Sequence, residues 1–521
     1  MARLRLVDGG WLKVMIVSLS IGRRLRRCPP AVAGACALVL AALLVLLGPV
    51  AVPQTAWAAP VQLTSATGDH CGSFNLDSTA DGSTVAFESY CDLTGANTDA
   101  SLEVFTVTSA GTVTQLSDSS SSCTNQSPSI ADDGTLVVFT SDCDLVSGSN
   151  TDLSRELFLS TDGTLTQLTS GSGCTSAAPS LAADGSAVAF ASGCDLSGSN
   201  SDLNSEIFLA VIGGATTQLT NDSSATGCDS RAPSVDGDAS VIAFEGDCDL
   251  TGNNGDNEIS EIFQVTPAGV VTQLTASSDD DCSSIDASSD STGSYVAFTS
   301  DCDLGGNNSD GSDEVFRVSA SGSITQLSND DGTTLCASLD PNTSADGQFV
   351  VFESYCDLAE DNSDGSREVF RSAGGTAQQL SGGSFCSDSA YTTEANCLAA
   401  SETWTAGTSC QNQFPVTNSD AVVVSYSSSC DPLGTNSEAQ YEIFQDEFCS
   451  CAGPATGKGP DDRPSVTDAL VALKAAVKIL SCPPCACDVN DDDNIKVTDA
   501  LLILKASVGV VVPLDCPDYE R

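Results

Sequence analysis

The chain has 521 residues, of which 70 are acidic, 19 basic and one a histidine. Residues 59–521 hold 69 of the acids and only 12 of the bases, a formal charge of −57. That field repels phosphate and anionic lipid, so neither nucleic acid nor a membrane surface is expected as a partner; one histidine excludes multi-histidine zinc sites, and 41% hydrophobic content excludes global disorder.

Residues 1–58 read as a signal peptide. Arg23, Arg24, Arg26 and Arg27 form a basic cluster, residues 31–52 are almost wholly apolar, and Ala56-Trp57-Ala58 fits the small-x-small cleavage pattern. Pro49 and Pro53 break the apolar helix before that site, which favours cleavage over a retained anchor, and the long stretch before the basic cluster places a second candidate start at Met15. The mature protein is expected outside the cytoplasm: secreted and extracellular, in the periplasm or at the cell surface, with no membrane contact after cleavage. Of the 24 cysteines, 22 remain after cleavage, and in an oxidising compartment disulfides are their default state.

Residues 59–448 repeat with a period of about 51–54 residues. Cys-Asp-Leu occurs at Cys91, Cys143, Cys194, Cys248, Cys302 and Cys356, and Cys430-Asp431-Pro432 is a seventh copy displaced by an insertion. Glu-aliphatic-Phe and Gln-Leu-Thr/Ser each occur seven times, beginning at Glu103 and Gln62. Each unit reads as four short strands, as in 178–181, 187–191, 206–210 and 215–220. Four-stranded units repeated radially make a β-propeller. A fourth strand, 61–64, arrives before any first strand, and the last unit ends without its own. The fold class is therefore all-β, a seven-bladed β-propeller whose N-terminal strand closes the last blade.

A second cysteine precedes each Cys-Asp by 20 positions, giving Cys71/Cys91, Cys123/Cys143, Cys174/Cys194, Cys228/Cys248, Cys282/Cys302, Cys336/Cys356 and Cys410/Cys430. A hairpin folded at the midpoint of such a pair sets its ends opposite each other, within bonding reach. Cys386 and Cys397, in the insertion of the last unit, are a further candidate pair. After each Cys-Asp comes a polar loop with Asn97/Asp99, Asn150/Asp152, Asn200/Asp202, Asn254/Asp256, Asn308/Asp310, Asn362/Asp364 or Asn436/Glu438. Alternating oxygen ligands suit calcium, and the same residues equally favour Asx-turns on a solvated surface. Either way the seven loops share one face of the ring and make it negative.

The Val-Ala-Phe, Asp-Gly, Glu-Ile-Phe and Gln-Leu-Thr pattern resembles the TolB-like, WD40-like propeller repeats of bacterial exported proteins over residues 61–448. It departs from them in its turn, mostly Ala-Asp-Gly where Trp-Ser-Pro-Asp-Gly is usual. The resemblance implies a fold and leaves function open.

Residues 449–521 differ in composition. Residues 465–474 parallel 496–505, and each opens an amphipathic helix with Thr-Asp. Before the second copy, Asp488, Asn490, Asp492, Asn494 and Asp499 have the oxygen spacing of an EF-hand loop. A duplicated loop-helix with Asp in the twelfth place resembles the dockerin module over residues 457–517. That resemblance implies a small α-helical dockerin-like C-terminal domain, calcium as cofactor at those five residues, and a cohesin-like or other extracellular protein as partner. Asp493 stands where Gly is usual, and the first loop keeps only Asp461 and Asp468. Cys482, Cys485, Cys487 and Cys516 around the module read as structural disulfides.

The function expected is that of a secreted binding or interaction protein, with a carbohydrate or cationic ligand on the propeller face and no catalytic residues assigned. The alternative is a carbohydrate-active enzyme, a glycoside hydrolase or lyase of polysaccharide metabolism, because dockerin modules accompany such enzymes. A glycosidase needs two carboxylates about 5–10 Å apart, and the feature that separates the readings is whether acids converge in a central pocket where one blade breaks the repeat.

Overall fold

The computed structural model describes residues 60–447, apart from short loop segments and most of 383–409, together with residues 496–507. The signal segment, Cys397 and residues 448–495 lie outside the described residues.

Seven four-stranded antiparallel sheets form the ring. In blade 1 the strands are Ser73–Ser78, Thr84–Ser89, Glu103–Thr108 and Val113–Gln115. The first strand of each blade lies beside the first strands of its two neighbours, so the first strands surround the axis and the fourth face outward. Blade 7 is completed across the chain: Val61–Gln62 pairs with Glu442–Glu447, Val61 opposite Gln445 and Gln62 opposite Phe444. This is the closure expected from the phase of the repeat. The insertion contributes a two-stranded ribbon, Phe385–Cys386 with Trp404–Thr405.

Second strands such as Ala187–Ser192 are buried at every position, because each blade is covered on both faces by its neighbours. That is why they read as continuous Val-Ala-Phe runs without a polar alternation. Within each blade an aromatic from the second strand stacks on one from the third, from Phe87 on Phe105 to Tyr426 on Phe444, with centroids 5.5–6.3 Å apart. In five blades the first hairpin turns on glycine at positive φ, and in blades 4 and 7 on Ala239 (57°) and Ala421 (54°). Gly185 (φ 72°) also leaves room for Leu136 of the preceding blade, whose Cδ1 would lie 2.8 Å from an added Cβ.

The two short motifs prove to be one device. In every blade the Glu of Glu-x-Phe is buried and accepts a hydrogen bond from the Thr or Ser hydroxyl that follows Gln-Leu. The same hydroxyl accepts the amide N–H of the residue after the Glu. A buried carboxylate is costly unless hydrogen-bonded, so each unit must carry both motifs together. In blade 7 the pair is Glu442 and Thr64, which locks the closing strand.

All seven cysteine pairs with the 20-residue spacing are disulfides, with Cα–Cα distances of 4.9–5.4 Å. They join the ends of the first hairpin on the loop face. Disulfides of this number belong to an oxidising compartment, and among the described residues no helix is long and apolar enough to cross a membrane. In the C-terminal region one helix is described, α1, Val497–Ser507, on the second of the two repeated segments.

Candidate binding site at the channel mouth

Each first strand carries a β-bulge at its third residue, with φ between 43° and 56°. The bulge residues are Asn75, Ser127, Ala178, Ala232, Asp286, Asp340 and Phe414. Bulges bend a strand and re-aim a side chain. Because the first strands surround the axis, these seven positions ring the channel near the loop face. In blades 1 to 6 a polar side chain two residues beyond the bulge links the blade to the next. Asp77, Ser129, Ser180, Ser234, Ser288 and Asn342 accept the amide N–H of Ile130, Leu181, Val235, Ser289, Thr343 and Thr417 in the next blade, at 2.9–3.1 Å. At the far end, backbone bonds such as Asp184 to Gly237, Gly237 to Ser291 and Ser291 to Ala345 (3.0–3.1 Å) tie the turns to one another.

Three blades break the repeat at the mouth. Glu88, Glu245 and Glu353 stand on second strands where Thr140, Ala191, Thr299 and Ser427 stand in the others. Each glutamate accepts the bulge amide of the following blade: Ser127 to Glu88 at 2.7 Å, Asp286 to Glu245 at 3.0 Å and Phe414 to Glu353 at 2.9 Å. In blades 5 and 6 the bulge residue is itself an acid, so Asp286, Asp340, Glu245 and Glu353 converge. Burial pushes Asp286 up to about 7, with the charges of Asp340 and Glu245 adding to it. Burial also raises Glu353, which shares a hydrogen bond with Asp340, and burial raises Asp340 although Arg367 opposes it.

Arg367 spans blades 6 and 7 at this point. Its Nη1 is 2.9 Å from Glu353 Oε1, an ion-pair distance without hydrogen-bond alignment, and it donates to Gln413 Oε1 at 3.0 Å. Its Nε donates to the Tyr355 hydroxyl at 2.7 Å, and its guanidinium lies 5.0 Å from the Tyr355 ring centroid. Arg231 pairs with Asp247 at 2.5 Å on the rim. Arg367 and Arg231 are both engaged, and beside them Asp286, Asp340 and Glu245 remain as further carboxylates. Asp340 and Glu353, in hydrogen-bond contact, are too close to flank a glycosidic bond as acid and base about 5–10 Å apart. One thing this excess of carboxylate can do is hold a cation.

The polar loops on the same face have a common interior. The asparagine of the loop is buried at 0–5% exposure in the six blades where it is described. Asn97 Nδ2 donates to Cys91 O at 3.4 Å and Ser101 O at 2.9 Å, and its N–H bonds Asp92 Oδ1 at 3.0 Å. The same pattern recurs at Asn200, Asn308 and Asn362. In blade 1 Asp99 Oδ1 also accepts the N–H of Ser101 at 3.3 Å, the Asx-turn contact expected from this composition. Asn254 and Asp256 lie outside the described residues. Clusters such as Cys123, Asp142 and Cys143 hold no thiolate, since their sulfurs are bonded to each other, and Asp142 accepts Thr124 N–H at 2.5 Å.

Of the C-terminal calcium residues, Asp488, Asn490, Asp492 and Asn494 lie outside the described residues; Asp499 lies on helix α1, with its side chain undescribed. The mouth acids were not singled out from sequence. Aligning the units on their cysteines exposes them, four residues after the first cysteine of each pair and three before the second.

No protein-family model matches the sequence, and no curated protein matches it. Among solved structures, the chain is similar to an oligogalacturonate lyase from Vibrio parahaemolyticus at 12% identity, over 76% of this chain and 98% of that one, with a TM-score of 0.45. It is similar to TolB from Acinetobacter baumannii at 16% identity, over 72% and 79%, with a TM-score of 0.35. It is similar to the β-propeller domain of the Trilobed protease from Pyrococcus furiosus at 7% identity, over 73% and 97%, with a TM-score of 0.42. Similarity at this level bears on fold alone.

Proposed function

We propose that the protein is an exported, non-catalytic binding propeller that takes a cationic group, such as a lysine side chain of a partner, at the acidic mouth of its channel. The observation that carries this reading is the convergence of Asp286, Asp340, Glu245 and Glu353, with the nearby Arg367 paired to Glu353 and Arg231 to Asp247. A cation there relieves the mutual repulsion of groups that burial already holds partly protonated. The C-terminal module is the tether in this reading: Asp488, Asn490, Asp492, Asn494 and Asp499 hold one calcium, and the folded module engages a cohesin-like or other extracellular partner.

Calorimetry of the mature chain with a lysine-rich peptide tests the channel. Binding at pH 8 is expected, weakened at least tenfold by Asp286→Asn with Asp340→Asn and weakened again at pH 5. Asp133→Asn with Asp184→Asn, at the opposite end of the ring, is the control for bulk charge. Equal losses from the two double variants would remove the channel from the function.

A further inference from the structure

The polar loops hold a second arrangement, independent of the channel. In blade 1 the hydroxyl oxygen of Ser101 lies 3.1 Å from Asn97 Oδ1, 2.9 Å from Asp99 Oδ1, 2.8 Å from Glu103 Oε1 and 3.5 Å from Ser119 O. One hydroxyl has one proton and cannot satisfy four acceptors. In blade 2 Ser154 Oγ lies 3.1 Å from Asp152 Oδ1, 3.2 Å from Glu156 Oε1 and 3.1 Å from Gly171 O. In blade 5 Ser312 Oγ lies 3.3 Å from both Asn308 Oδ1 and Asp310 Oδ1. The sequence behind it is Asn-x-Asp-x-Ser-x-Glu, with oxygens at alternate residues. The residue after each Asp has positive φ, as at Ala100 (56°), Leu153 (57°), Leu203 (61°) and Gly311 (70°), which curls the loop so that its oxygens gather.

Blade 3 supplies an observation of a different kind. Asn204 stands in the place of the serine there. Asn200 is fully buried, and its Oδ1 has no hydrogen-bond partner. Its Nδ2 is fixed by Cys194 O at 3.5 Å and Asn204 O at 2.9 Å, as that of Asn97 is fixed in blade 1. The amide is planar, so Asn200 Oδ1 faces the same centre that Asn97 Oδ1 faces. A buried carbonyl oxygen with no donor is costly unless something positive meets it.

We propose that the loops of blades 1, 2, 3 and 5 each bind one calcium ion through the Asn, Asp and Glu oxygens of this motif, the Ser hydroxyl in blades 1, 2 and 5 and, in blades 1 and 2, the carbonyl of Ser119 or Gly171. The spacing fits: around an ion with Ca–O distances of 2.3–2.6 Å and six to eight ligands, neighbouring oxygens lie roughly 3 Å apart. The Asp is exposed in all four loops while the Asn is buried, so each centre opens to solvent on one side. Blade 4 departs from the motif, with Gly255 and Ile259 in the Asn and Ser places, and serves as the internal control.

Counting bound calcium on the full mature chain by equilibrium dialysis at millimolar free calcium tests the proposal. Asp99→Asn, Asp152→Asn, Asp202→Asn and Asp310→Asn keep an acceptor and remove a charge. Each is expected to lower the count by one, and the quadruple variant by four. Asp256→Asn in blade 4 is expected to change nothing. Asp499→Ala reports separately on the C-terminal loop by removing one more. If the quadruple variant binds as many ions as the parent chain, or the Asp499→Ala chain binds none, the loops are hydrogen-bonded turns and the proposal is wrong. Circular dichroism matching the parent's shows that a lost ion is not a lost fold.

Discussion

Asp77 and Asn342 occupy equivalent places two residues beyond the bulge, and both accept an amide N–H from the next blade, at 2.9 and 3.0 Å. The amide does this without charge. The carboxylate of Asp77, buried, is pushed up to about 6 from 3.8. A folded value above the unfolded one means that the group favours folding most when protonated, and that this contribution is lost as pH rises through 6. Asp77→Asn is therefore expected to stabilise the protein at pH 8 by about 2 kcal/mol, the relief of charge burial less one lost bond from Ser78 N–H. At pH 4 the relief disappears and the lost bond remains, so the effect reverses sign. Thermal melts at the two pH values check this, and equal shifts at both would contradict it. None of these inward-facing roles was legible in the sequence. Seven cysteine pairs announce themselves by constant spacing, whereas Asp77, Ser129 and Asn342 differ in type and share only a position.

At the scale of the element, the sequence was most readable where one physical demand recurs in every blade. Hairpin disulfides, stacked aromatics and the Glu–hydroxyl device each need the same residue types seven times. The last blade shows what happens where a type changes. Tyr426 takes the place of a core phenylalanine and donates its hydroxyl to Asp446 Oδ2 at 2.8 Å. Val107, Val265 and Val318 stand where Asp446 does in blades 1, 4 and 5. Burial pushes Asp446 up to about 7, with the tyrosine hydrogen bond pulling the other way. Tyr426→Phe alone leaves a buried carboxyl without its donor and is expected to cost about 2 kcal/mol. Adding Asp446→Val restores the pattern of the other blades and is expected to recover most of that loss. Melting temperatures of the two singles and the double decide it, and additive losses would show that the two side chains do not act as a pair.

At the scale of the whole molecule, one blade count emerges from three motifs, while the mouth of the channel depends on which blades deviate. That deviation has a consequence for the entire fold. Asp77 is raised to about 6, Asp286 and Asp446 to about 7, and Glu353 is raised as well, each chiefly by burial. Asp133 and Asp144, exposed at turns, are lowered by backbone hydrogen bonds from Thr135 and Gly148. Between about pH 7 and 4 the folded state thus binds more protons than the unfolded chain, so stability rises as pH falls through that window. The exposed turn carboxylates oppose this only below their ordinary range near 4. Relief of the −57 charge also favours acid, but 1 M salt shortens the Debye length to about 3 Å and screens that term while leaving buried groups little affected. The melting temperature without calcium is expected to climb from pH 8 to pH 5, and to keep climbing in 1 M salt. A climb abolished by salt would assign the effect to surface charge, and a fall toward pH 5 would mean that the buried acids are ionised and paired in the folded state.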